Sequence, residues 1–599
     1  MKRTALVLSL SAALCAPLAL TTSAHAATAQ ATAQAAAPTT TQADAAFTAL
    51  AGRALAHWMR VAPINATFLG EHKYDKEIDD YSAAGRAKAL AGSQKLLAEL
   101  DHVDITKLSR ENQIDALLLR NQLRYDVFTW QAEQDWAWDP QVYSQLAGNA
   151  LYNLMAREYA PLPQRLKAAA ARMEKLPQLF AQARANLDPA RVPKIHAETV
   201  AKQNGGVLEI VDTFITPHLD ELQGADRARL VAAIATLKKA VSEQQEWLDK
   251  TLVPNAKGDF RIGQKLYDQK LQFALNSALS RAEIKARAEA ELKRVRIEMY
   301  EVARTLVKDL PANPTPEQQQ AGIEAGLELA YAERPKRDEL VADATATLAQ
   351  ARQFLIDKDL ISVPNDPVRI ITMPEFQQGV AVAYCDSPGP LDKGLATFYA
   401  VSPIPKDWTD AQVNSFLREY NSRMIHLLSI HEGIPGHYLE GAYSARFPST
   451  LRATLRSGLF AEGWAVYSER MMRESGYLNN DPLFHLVQLK FYLRTIANAL
   501  LDQGVHVDGW TREQAMELMT KQTFQQEREA AGKWVRAQLT SAQLPTYFVG
   551  VQEQLDMREA VKKAWGPKFT LKAYHDAVLS YGAPPVRFVR EMILDEPIR

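Results

Sequence analysis

One segment limits how this chain can fold: His431-Glu432-Gly433-Ile434-Pro435-Gly436-His437. It ends a run with clear helical signals. Thr409 and Gln412 form a capping box, and Val413, Phe416, Leu417 and Tyr420 recur at helical spacing toward His431. A regular helix cannot pass through the segment. Proline clashes with the carbonyl four residues back, here that of His431, and removes one helical hydrogen bond. Gly433 and Gly436 oppose helix by about 1 kcal/mol each and Pro435 by about 3. Plain scaffold gains nothing from such a break, so we read it as a site.

The residue types at the break point to a metal. Zinc-binding helices commonly place two histidines four apart, on one face. Here the second histidine comes six positions on, about 240° round an ideal helix. The chain is therefore expected to break or bulge at 433–436 and bring His437 back to the side of His431. Catalytic zinc takes three protein ligands and keeps one position open. Glu462 is the first choice for the third. It stands alone in the apolar helical run Leu459-Phe460-Ala461-Glu462-Gly463-Trp464-Ala465-Val466-Tyr467, and a buried carboxylate needs a compensating cation. Without a metal, that cation would be an arginine such as Arg470. Glu469, one heptad on, is either a ligand or a partner that orients one. His426 and Glu440 are further alternatives. Glu432 adjoins His431 and cannot easily reach the same ion. That leaves it as general base, taking a proton from a water acidified by the zinc and passing it to the leaving amine.

The N-terminus reads as an export signal. Lys2 and Arg3 precede an apolar stretch over 5–20, and Ala24-His25-Ala26 has the small-x-small pattern of a cleavage site. Cleavage is expected after Ala26, giving a periplasmic or secreted protein. Ser9, Ser11 and Pro17 interrupt the run, which falls short of the ~20 apolar residues of a membrane span. Cys15 follows Leu14, where a lipid-attachment motif would carry a small residue, so the lipoprotein reading is set aside. Residues 27–45 are Ala/Thr/Gln-rich and read as a disordered linker. Cys385 is then the one remaining thiol, expected to be a small buried or edge-strand residue.

Residues 46–599 read as a mostly helical domain. Capping boxes stand at Ser280/Glu283 and Thr511/Gln514, and helical patterns cover 83–130, 161–187, 225–250, 281–307 and 318–356. Only 367–403 is β-prone, with runs at 368–372, 379–384 and 396–401 divided by turns such as Ser387-Pro388-Gly389-Pro390. A small sheet is expected there, beside the metal helix, where an edge strand can take an extended peptide. The 69 basic and 70 acidic residues nearly cancel, and no basic stripe marks a nucleic-acid binder.

Several motifs together resemble the bacterial domain-of-unknown-function family numbered 885. They are His-Glu-x-x-Pro-Gly-His at 431–437 and Phe-x-Glu-Gly-Trp-Ala at 460–465, with outer signatures at 63–70, at Phe260-Arg261-Ile262-Gly263 and Tyr267, and at 569–585. The resemblance implies a zinc metallopeptidase similar in layout to the helical gluzincins such as neurolysin and angiotensin-converting enzyme. Two lobes would enclose a deep cleft with one zinc at its floor. It maps the ligands onto His431, His437 and Glu462, with Glu432 as base. Tyr547, in Pro545-Thr546-Tyr547-Phe548, resembles the tyrosine that stabilises the oxyanion in related peptidases, and His575, Tyr581 and Arg558 are further candidates for that task. The substrate expected is a short peptide. A metal-dependent amidase or esterase, or a silent metal-binding protein of the same fold, would keep most of these features. An intact Glu432 argues against the silent form.

Overall fold

The computed structural model describes residues 41–373 and 382–599. The expected signal peptide, its cleavage point and residues 27–40 lie outside the described residues. So do 379–381 of the second expected strand.

Helices dominate. All three capping boxes form, at Ser280/Glu283, Thr409/Gln412 and Thr511/Gln514. Each satisfies backbone N–H groups that a helix start leaves open. Two long patterns are divided. The 83–130 pattern becomes helices Ala83–Asp101 and Arg110–Phe128, because Ser109 caps a new start by accepting from the Asn112 N–H. The 318–356 pattern becomes Pro316–Tyr331 and Leu340–Asp357, with Pro335 in the break.

The first helix, Gln42–Val61, starts inside the stretch expected to be linker up to residue 45. The correction has a tertiary cause. Asp44 is buried, and its Oδ1 accepts from the Ser109 N–H at 2.9 Å, the Ser109 hydroxyl at 3.0 Å and the Asn112 amide at 2.6 Å. Local composition carries no trace of partners 65 to 68 residues away.

The β-prone region forms one three-stranded sheet in the order β1-β3-β2, with β1 Val368–Thr372, β2 Ala383–Asp386 and β3 Thr397–Val401. β1 runs parallel to β3, and β2 pairs with it antiparallel. Among the described residues β2 therefore lies at an edge, and Cys385 sits in it. The two largest cores draw on different halves of the sequence. One packs side chains from Ile64 to Ala256, the other from Tyr267 to Val589. Among the described residues, no helix is long and apolar enough to cross a membrane.

Candidate metal centre and cleft

The break at Pro435 is built in three steps. Asn421 caps helix Ser422–Leu428 by accepting from the Arg423 and Met424 N–H groups. The helix then widens into a π turn over Ser429–Gly433, closed by Ile434 N–H to the Ser429 carbonyl at 3.1 Å. Ile434 is extended, the Ile434–Pro435 peptide is cis, and a new helix, His437–Ser444, begins at the second histidine. Gly436 is required by space. A Cβ there would lie 1.9 Å from the His431 carbonyl oxygen and 2.4 Å from that of Ile430. The Trp464 indole donates to the Pro435 carbonyl at 2.8 Å and ties the break to helix Gly458–Glu474.

The outcome is convergence. The His431 and His437 rings stand perpendicular with centroids 4.8 Å apart. Glu462, on helix Gly458–Glu474, brings Oε2 to 3.7 Å from His431 Nε2 and 3.4 Å from His437 Nε2. Ligand atoms of the three residues all lie within 4.8 Å of one another, the one such group among the described residues. Two imidazoles and a carboxylate suit zinc. The spacing fits an ion as well. Glu462 Oε2 is buried yet has no hydrogen-bond partner among the described residues, so it approaches both rings without being consumed by either. His431 Nδ1 contacts Glu469 Oε1 at 2.7 Å, and Glu469 is fully buried. That contact leaves Nε2 as the nitrogen turned toward Glu462.

Glu432 is buried beside this group and faces the same cleft. Burial pushes its carboxyl above the usual carboxylate range. The His431 and His437 rings pull it back, nearby Glu462 adds to the rise, and a backbone hydrogen bond from Cys385 lowers it. The cleft measures about 1290 Å³ and is lined by all four residues, by β2 and by Tyr547. Tyr547 is brought there by a close helix crossing. Gly463 and Gly550 meet with so little space that a Cβ on Gly463 would lie 2.4 Å from the Gly550 backbone. Burial, with Glu462 nearby, raises the Tyr547 phenol, so it remains a proton donor.

The sequence profile of a family described as "Bacterial protein of unknown function (DUF885)" matches residues 63–593. The chain belongs to the DUF885 family. Its fold is similar to that of a candidate lipoprotein of unknown function from Shewanella oneidensis. That match has a TM-score of 0.77 and 32% identity, over 92% of this chain and 99% of the other. A candidate lipoprotein from Colwellia psychrerythraea shares the fold at a TM-score of 0.74 and 18% identity, over 93% of this chain and 100% of the other. No curated protein matches.

In this DUF885 member three candidate residues, His575, Arg558 and Tyr581, are not among those that line the cleft. His575 is fully buried, with Nδ1 2.7 Å from the Leu360 carbonyl and Nε2 2.8 Å from the Tyr467 hydroxyl. Burial pushes its pKa down to about 4, so the ring is neutral. Arg558 pairs with Glu474 at 2.8 Å and covers the Tyr467 ring. Tyr581 packs against the larger core, and its carbonyl accepts from Arg452. The alternative ligands are also committed elsewhere. Glu440 is clamped by Arg456, with Nε 2.9 Å from Oε2, and His426 bonds the Tyr477 hydroxyl at 2.9 Å. Arg470, the rival partner for Glu462, pairs with Glu474 instead.

Among the described residues, the Cys385 thiol contacts Ser387 Oγ at 3.7 Å, and burial pushes it up to about 12, which disfavours the reactive thiolate. Sequence reasoning missed the basic side of the cleft, formed by Arg494, Lys533 and Arg536. The one available signal was the spacing of Glu529, Lys533 and Arg536, which puts all three on one helical face.

Proposed function

We propose that this chain is a zinc-dependent peptidase that hydrolyses short peptides outside the cytoplasm. The observation that carries the reading is the convergence of His431, His437 and Glu462 at the wall of a large cleft, with the buried Glu432 carboxylate beside them. A structural metal site would have no use for that free base. His431, His437 and Glu462 would hold the zinc. When bound, zinc supplies Lewis acidity, polarising a substrate carbonyl and lowering the pKa of water to about 7.

The remaining work falls to the chain. Glu432 takes the proton of the attacking water and delivers it to the leaving amine, a task its raised pKa suits. Glu469 holds the His431 ring in one orientation. Tyr547 offers an O–H toward the charge that develops on the carbonyl oxygen. β2 presents an edge to the cleft, to which an extended peptide can add as a further strand. The recessed position of His431, His437 and Glu462 in the cleft favours short peptides over folded proteins. The two large cores and the helical content support a two-lobed layout like that of neurolysin and angiotensin-converting enzyme. Extracytoplasmic location is supported by the N-terminal export pattern and by the description of both structural neighbours as candidate lipoproteins.

The test is a mixed peptide library incubated with the mature protein and with Glu432→Gln. New fragments should form with the wild type and fall at least ~100-fold with the variant, while the variant's metal content stays unchanged. Equal turnover by both proteins would remove Glu432 from the reaction. Glu462→Ala should instead lose the metal.

A further inference from the structure

The basic side of the cleft is unbalanced. Helix Glu527–Leu539 turns Glu529, Lys533 and Arg536 toward the space that also holds Glu462 and Tyr547. Glu529 is already engaged. Its Oε1 lies 2.5 Å from Arg494, and its Oε2 accepts from the Tyr420 hydroxyl at 2.9 Å. Among the described residues, the hydrogen-bond partners of Arg536 are neutral, Gln543 at 2.9 Å and Tyr547 at 3.3 Å. Lys533 is 5% exposed and has no hydrogen-bond or ion-pair partner among the described residues. Among the described residues, two basic side chains therefore face the cleft with no carboxylate in hydrogen-bond or ion-pair contact, and Glu529 and Glu462 act on Lys533 only through space. Leaving a buried cation unpaired is costly. Burial, reinforced by Arg494 and Arg536, holds the Lys533 ammonium well below its usual range. An arriving anion would relieve that penalty.

We infer that Lys533 and Arg536 receive the free C-terminal carboxylate of a short peptide, so that cleavage removes a short fragment from the C-terminal end. The direction of cleavage rests on the peptidase reading above; the carboxylate anchor does not. The guanidinium fork and the ammonium suit a carboxylate, with charge-assisted hydrogen bonds to both oxygens. The position is also right for a terminal group. Arg536 touches Tyr547, and both cations share the electrostatic field of Glu462. A residue or two of extended chain, at about 3.3–3.6 Å each, would carry the scissile carbonyl from this anchor toward the metal ligands. In the reaction the C–N bond breaks. Water gives its hydroxyl to the new carboxyl group and its proton, through Glu432, to the amine of the departing C-terminal fragment.

Two measurements decide this. In the first, N-acetylated peptides are compared as free acids and as C-terminal amides with the mature enzyme. The acids should be preferred by at least ~30-fold in kcat/KM, within the range for charged hydrogen bonds. The released fragment should be short and C-terminal. Lys533→Met and Arg536→Gln should each bring the acid-to-amide ratio toward one, chiefly through KM. In the second, an acetyl-dipeptide acid and its amide are titrated calorimetrically into Glu432→Gln, with no turnover required. The acid should bind at least about tenfold more tightly. Turnover with equal use of acid and amide, or equal or no binding of the two ligands, would overturn the carboxylate anchor. Acid-selective binding without any peptide turnover would uphold the anchor and count against the peptidase.

Discussion

His431 Nδ1 lies 2.7 Å from Glu469 Oε1, and the two residues meet from different helical segments 38 positions apart. Glu469 is fully buried, so this contact is its main polar tie. It fixes which nitrogen of His431 points at Glu462. Removing such a partner of a metal-bound histidine typically weakens affinity about 10–100-fold. Glu469→Ala is expected to lower zinc affinity by that amount while retaining the fold. Competition with a fluorescent chelator measures it. An unchanged affinity would mean that Glu469 does not orient the ring.

Gly436 makes the turn between the two histidines possible. The missing Cβ is replaced by the His431 and Ile430 carbonyl oxygens at 1.9 and 2.4 Å. These are backbone atoms and cannot swing away. Gly436→Ala should therefore separate His431 from His437, lower zinc occupancy, and cost at least about 1–3 kcal/mol of stability from overpacking. Metal analysis beside a denaturant melt checks both effects. Full occupancy in a stable variant would contradict the turn's role.

His575 predicts an acid-sensitive packing site. Its folded-state pKa is pushed down to about 4, below the ordinary value of 6.5. The unfolded chain then binds the proton more readily. The stability tied to the neutral ring is complete above pH 6.5 and declines as pH falls from 6.5 toward 4. His575→Gln should flatten that part of the stability curve, read from thermal melts across pH. It should leave cleavage chemistry intact, since His575 is not in the cleft lining.

That His431, His437 and Glu462 would meet was legible because they lie in short motifs. Glycines and a proline in the middle of a helical pattern pointed to a break, and the histidines on either side of it to a metal. Glu462 was legible as a lone carboxylate in an apolar run. Residues whose meaning depends on distant partners were not. Arg558 and His575 looked equally available as catalytic groups, but Glu474 and Leu360 occupy them. The early start of the first helix depends on Asp44 meeting Ser109 and Asn112. Nothing in the local sequence singles out Lys533. In the folded cleft Arg494 and Tyr420 hold Glu529, four residues before it, and Lys533 has no hydrogen-bond or ion-pair partner among the described residues.

The central claim is that zinc held by His431, His437 and Glu462 makes this chain a peptidase. The most direct measurement is a zinc titration of chelator-stripped mature protein, read by hydrolysis of a mixed peptide library. Activity should be absent at first, rise with added zinc, and saturate at one ion per chain. Glu462→Ala should not be restored at the same zinc concentrations. Undiminished hydrolysis by the stripped protein, or no hydrolysis at any zinc level despite one bound ion per chain, would contradict the account.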